Sequence, residues 1–182
     1  MERVKRFLCA LLVAITMVTM VSAPLQVQAA TASGNSDWKK APTIRKRGTY
    51  TVTDKKKEGV LKFVAPKTGN YTLTFSNFRK YGKTSATKTS EALGNLCILK
   101  PVTEQNYTYL KMLTLQTNYG KSFSFNICTK YWYDLIYKYE KKDRTSNLYS
   151  RYVKIHLKKG QAIYIKAFWT GGKHQYTMKI KC

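Results

Sequence analysis

The sequence predicts an all-β, antiparallel sandwich. Three observations carry the prediction: repeated period-two alternation of apolar and polar residues, turn residues between the alternating runs, and no amphipathic helical stripe with caps. "GTYTVTD" sets Tyr50 and Val52 against three threonines. "VLKFVA" sets Leu61 and Phe63 against Lys62, and "NYTLTF" sets Tyr71, Leu73 and Phe75 against Thr72 and Thr74. "SFSFNI" places Phe123, Phe125 and Ile127 on one face, and "YVKIHLKK" places Val153, Ile155 and Leu157 opposite Lys154, His156 and Lys158. "QYTMKIKC" places Tyr176, Met178, Ile180 and Cys182 opposite Thr177, Lys179 and Lys181. Each pattern is that of a half-buried strand, because successive strand side chains point to opposite faces. "QAIYIKAFW" is apolar on both faces and reads as a more central strand.

Turn signals separate these runs. Pro66-Lys67-Thr68-Gly69 makes a hairpin of the first two long strands, and Lys158-Lys159-Gly160 and Thr170-Gly171-Gly172-Lys173 make a meander of the last three. "YWYDLIYKYEKK" favours a strand through its Tyr, Trp and Ile, with a polar loop from Lys141 to Asn147. Residues 79–92 have no apolar face to bury and read as a long exposed loop.

The first residues predict export. Arg3, Lys5 and Arg6 precede an apolar core from Phe7 to Val21, and Val27-Gln28-Ala29 fits a small-x-small cleavage site. The apolar core is short for a membrane span and Pro24 follows it, so cleavage after Ala29 is expected rather than an anchor helix. The domain organisation is then a signal peptide at 1–29, a small, polar and basic flexible lead-in at 30–47, and one sandwich domain at 48–182. No second hydrophobic span follows, so no transmembrane anchor is expected after cleavage, and the expected location is extracellular or cell-surface associated.

Charge narrows the partners. The chain has 182 residues, with 33 Lys and Arg against 9 Asp and Glu. The leader holds three of the basic residues and Glu2, which leaves 30 against 8, a formal balance of +22. Such an excess favours polyanions such as anionic glycans or wall polymers; no nucleic-acid motif is present, so no specific nucleic-acid partner is expected. Cys97, Cys128 and Cys182 remain after cleavage, an odd number that allows one bridge with a free thiol or three buried thiols.

"GVLKFVAPKTGNYTLTF" resembles the opening of the bacterial pre-peptidase C-terminal domain. Phe63, Gly69, Tyr71, Leu73 and Phe75 match its pattern of an alternating strand ending in Phe, a turn with Gly, then Tyr-x-Leu-x-Phe. "LGNLCILKP" can fill its central strand, and "LKKGQAIYIKAFW" with "HQYTMKIKC" can fill its closing strands. The resemblance implies a jelly-roll-like sandwich acting as a non-catalytic accessory or binding module. Some relatives hold calcium through acidic residues; the acidic residues here are few and dispersed, so that site is not carried over and no metal or cofactor is expected.

Chemistry-bearing patterns are sparse. No His-Glu-x-x-His, Gly-x-Ser-x-Gly or phosphate loop occurs, and His156 and His174 both read as exposed, so no catalytic residue is assigned. The binding candidates lie where rings and cations interleave: Tyr131, Trp132, Tyr133, Tyr137, Lys138, Tyr139, Arg144 and Arg151. Flat rings stack on sugars or bases, and cations pair with phosphate, sulfate or carboxylate. Alternate strand residues must face a core, so half of these rings have a purely structural reading beside the ligand-platform reading. The expected function is binding of anionic cell-surface or extracellular polymers, with a protein-interaction or inhibitor module as the alternative.

Overall fold

The structure is a computed structural model that describes residues 29–82, 93–118, 120–128 and 150–182. Two β-sheets pack face to face. The first strands are β1 (Ala30–Ala32), β2 (Thr43–Ile44), β3 (Gly48–Asp54), β4 (Glu58–Val64) and β5 (Gly69–Lys80). There follow β6 (Leu93–Glu104), β7 (Tyr107–Met112), β8 (Leu115–Thr117), β9 (Gly120–Ser122) and β10 (Phe125–Cys128), and then β11 (Ser150–Leu157), β12 (Ala162–Phe168) and β13 (His174–Lys181). A seven-stranded sheet runs β1-β3-β13-β5-β11-β8-β9, and a six-stranded sheet runs β10-β6-β12-β4-β2 with β7 paired to β6. Both sheets are antiparallel except for β1 on β3 and β2 on β4, which are parallel.

The pairing is nested. β3 pairs β13, β4 pairs β12, β5 pairs β11 and β6 pairs β10. Successive rungs of this ladder fall in alternate sheets, which is the rolled arrangement of a jelly roll. The expected all-β, jelly-roll-like sandwich is therefore the fold; the alternation predicts the strands, and the rolled form is what the resemblance implies. The hairpin and the meander are not formed. β4 and β5 lie in different sheets, and so do β11, β12 and β13 in turn. Period-two alternation fixes which face of a strand is buried; it does not say whether the next strand pairs beside it or crosses to the facing sheet.

The crossings have their own chemistry. Ala65 N donates to Gln161 O and Gly160 N donates to Ala65 O, so the β4–β5 and β11–β12 arches are zipped together. Lys159 N donates to Thr68 Oγ1 at 3.0 Å across the same junction. Gly160 takes φ 81°, a left-handed conformation that glycine adopts without steric cost. Tyr71 buries its ring while its hydroxyl donates to Lys67 O at 2.7 Å, so one side chain fills the core and ties the arch.

The core lies between the sheets. Val52, Tyr71, Leu73, Phe75 and Met178 from the seven-stranded sheet meet Leu61, Phe63, Ile98, Ile163 and Ile165 from the other. Phe63 and Tyr71 make an edge contact across the gap at 5.4 Å. β12 is flanked by β4 and β6, in line with its apolar character on both faces. Phe123, expected to share a buried face with Phe125 and Ile127, is 58% exposed, because β10 begins only at Phe125.

Residues 30–47, read as a flexible lead-in, are instead built into both sheets. β1 joins β3, Asn35 exchanges backbone hydrogen bonds with Val60, Trp38 opens a 3-10 turn, and β2 joins β4. The segment's polar composition suited a loop; its backbone nevertheless finds partners on two sheet edges. Most of the expected 79–92 loop and all of the leader before Ala29 fall outside the described residues, although Arg79 and Lys80 still belong to β5.

Candidate functional site

Tyr131, Trp132, Tyr133, Tyr137, Lys138, Tyr139 and Arg144 lie outside the described residues. Arg151 lies within them, and its side chain is turned inward at 5% relative exposure, with Nε donating to Asn126 O at 3.2 Å. It is a buried cation rather than the surface cation expected. The signal was available in the sequence: Arg151 shares strand parity with the buried Val153 and Leu157.

His174 is likewise buried rather than exposed, at 0%. Its Nε2 meets Asp54 Oδ2 at 3.0 Å, and Asp54 is also 0% exposed. Its Nδ1 lies 3.0 Å from Gly172 O, and Asp54 Oδ1 accepts from Gly34 N at 2.9 Å. Both ring nitrogens thus face oxygen atoms, Nδ1 the Gly172 carbonyl and Nε2 the Asp54 carboxyl group. Phe78, Trp169 and Tyr176 surround the imidazole with ring centroids 5.4 to 6.3 Å away. Burial, reinforced by the nearby Asp54 charge, holds the Tyr176 phenol well above its ordinary pKa. The cluster joins β3, β13 and the 30–47 segment, with the Asp54 and His174 side chains both fully buried.

The two outer faces of the sandwich differ. On the six-stranded sheet, Val60, Leu99 and Tyr164 form a second buried cluster, covered by Trp38, Ala41 and Leu110. Trp38 meets the Tyr164 ring edge-on at 5.5 Å, and Lys166 pairs with Glu58 at 2.8 Å.

Among the described residues, no comparable cluster covers the outer face of the seven-stranded sheet. Its outward residues follow from the register. Thr49, Lys179, Thr74 and Tyr152 form one row across β3, β13, β5 and β11. Lys181, Thr72, Lys154 and Gln116 form the next, across β13, β5, β11 and β8. Asn70 and His156 form a third, and their side chains are hydrogen-bonded at 2.9 Å. Lys154, His156, Lys179 and Lys181 are exposed, and the Lys154 ammonium stands 5.7 Å from the Tyr152 ring centroid. A groove of about 470 Å³ runs along Asn70, Thr72, Lys154 and His156. Asp54 is the sole carboxylic side chain in all the strands of this sheet, and it points into the core. Among the described residues, the strands of this face therefore present ammonium groups, hydroxyls and amides, with no carboxylic side chain between them.

The β6–β7 hairpin turns on Gln105 and Asn106, both at positive φ, as a two-residue hairpin turn requires. It presents Tyr107 at 69% exposure, near-parallel to Tyr109 at 6.4 Å. The Tyr109 hydroxyl donates to Glu104 Oε1 at 2.8 Å, and that bond chiefly holds its pKa above the ordinary value.

Among the described residues, no group of three His, Cys, Asp or Glu side chains could hold a metal ion, and Cys97 and Cys182 are unbridged. No family model matches the chain, and no curated protein matches it. A solved β-glucosidase from Paenibacillus barengoltzii is similar at 10% identity and a TM-score of 0.32, over 83% of this chain and 13% of that one.

Proposed function

We propose that this chain is a secreted, non-catalytic module that holds anionic extracellular polymers, carbohydrate or cell wall, on the outer face of its seven-stranded sheet. One observation carries the reading: among the described strands of that sheet the only carboxylic side chain, Asp54, is withdrawn into the core, while Lys154, Lys179 and Lys181 stand on the surface among threonines. Cations spaced along a flat face meet a linear polyanion at several points at once, and hydroxyls and amides between them can donate to its oxygens. The non-catalytic part of the reading is supported by the burial of Asp54 and His174, the one carboxylate–imidazole pair at bonding distance among the described residues. A resemblance to pre-peptidase C-terminal domains is in keeping with an accessory role.

The test is binding of the chain to dextran sulfate and to neutral dextran near physiological salt. Retention on the sulfated polymer alone, weakened about tenfold or more in the K154Q/K179Q/K181Q variant, is the expected result. Equal retention of that variant would overturn the placement on this face. A protein-interaction module is the second reading, favoured by the exposed Tyr107 on the β7 hairpin.

A further inference from the structure

Within that face, and resting on the polymer-binding reading, we infer that the Asn70–His156 corner is the subsite that seats the polymer's charged group. The ligand is an oxyanion carried on a glycan: sulfate, phosphate or carboxylate. Protonation of His156 sets how tightly it is held.

The groove supplies four groups of the right kind. Thr72 offers a hydroxyl, Asn70 an amide, Lys154 an ammonium and His156 an imidazole, all on one side of the sheet. Neighbouring strands lie about 4.8 Å apart and same-face residues along a strand about 7 Å, so one oxyanion lies within reach of all four groups. Lys181 extends the charge on the far side of Thr72. The Asn70–His156 bond occupies Nδ1 and fixes the ring, which leaves Nε2 for a ligand. A neutral ring with Nδ1–H donating to Asn70 presents Nε2 as an acceptor, which repels an oxyanion. Protonation converts that same atom to a charged donor. A protonated ring therefore adds one more cation to the corner beside the lysines.

Among the described residues, the charged side chains beside the ring are of one sign. β11 contributes Lys154 and, past its end, Lys158; β5 contributes none beside it; β13 contributes Lys181. Beyond Lys181, the Cys182 oxygen is engaged by Arg47 at 3.2 Å. No side-chain carboxylate among the strands of this sheet competes for the imidazolium, so an incoming anion is its natural partner.

The experiment measures affinity for dextran sulfate at pH 5.5 and pH 8.0, at constant ionic strength, for the wild-type chain, His156→Gln and the off-face control Lys111→Gln. The wild type and K111Q are expected to bind about threefold to fivefold more tightly at pH 5.5, and H156Q to lose that ratio. A ratio retained in H156Q overturns the inference, and so does binding by the wild type without any pH ratio; both leave the polymer reading standing. No binding by the wild type at either pH overturns the polymer reading itself. Inorganic sulfate at matched ionic strength is expected to leave the ratio intact. Its abolition by millimolar sulfate would make the corner a free-ion site and overturn the polymer-borne assignment. Duplex DNA showing the same H156Q-dependent ratio, with dextran sulfate showing none, would overturn the glycan assignment.

Discussion

Asp54 and His174 sit where a sandwich of this kind ordinarily places hydrocarbon. Buried ion pairs repay their desolvation only when each partner is also hydrogen-bonded, and here Gly34 N and Gly172 O complete the set. His174 was readable as buried from parity, since it begins the series Tyr176, Met178, Ile180. The Gly171-Gly172 pair beside it argued for a turn and outweighed that signal. Tyr176 completes the cluster, with a buried hydroxyl that has no hydrogen-bond partner among the described residues. Its raised pKa makes a pH prediction with a definite sign. Below about pH 10, the ordinary tyrosine value, the phenol is neutral both folded and unfolded. Above it, the unfolded chain releases the proton and the folded chain keeps it, so stability falls as pH rises. Urea midpoints at pH 8.5, 9.5, 10.5 and 11.0 should decline through the last two points, and more steeply in the wild type than in Tyr176→Phe. Parallel declines in the two proteins would remove Tyr176 as the cause.

Single strands were legible because each needs only local alternation; their connections were not. The arches at Ala65–Gly69 and Lys158–Gln161 use residues that also suit hairpins, and only the partners of Ala65 and Gly160 across the junction distinguish them. β5 extends past Phe75 because Asn77, at φ 55°, accompanies a register shift against β13, after which Phe78 rather than residue 77 faces the core. That change of parity hides the rest of the strand from a strict period of two. β7 was missed because Tyr107, Tyr109 and Lys111 alternate with Thr108, Leu110 and Met112, a weak polar contrast, and because its turn contains no glycine. The packing of β3 against β4 makes the prediction at this scale. A Cβ at Gly59 would lie 2.1 Å from the Asp54 carboxyl group, which cannot swing aside while His174 and Gly34 hold it. Gly59→Ala should therefore cost about 3 kcal/mol by chemical denaturation. In an Asp54→Ala background the same change should cost much less, because the atoms it meets are gone. Equal costs in both backgrounds would show that the carboxylate is not what excludes the side chain.

At the scale of the whole molecule, the nested ladder sorts the charge. An early strand and the last, β3 and β13, lie side by side with β5 and β11, so residues more than a hundred positions apart share one face. The excess of lysine over carboxylate was plain in the composition, and a polyanion followed from it. Where that charge would gather was not, because it depends on which strands share a sheet, and the alternation is the same for either sheet. The grouping has a measurable consequence in salt. Binding to a polyanion releases roughly 0.7 to 0.9 counterions per charge engaged, so the logarithm of affinity falls linearly with the logarithm of salt concentration. Removing Lys154, Lys179 and Lys181 together should make that slope shallower by about 2 on dextran sulfate. The matched substitution of Lys39, Lys100 and Lys111, exposed lysines associated with the six-stranded side, subtracts the same net charge. If affinity came from net charge alone, the two triple variants would share one slope. If the seven-stranded face is the site, the second variant keeps nearly the wild-type slope, because counterions are displaced only from charges the polymer touches.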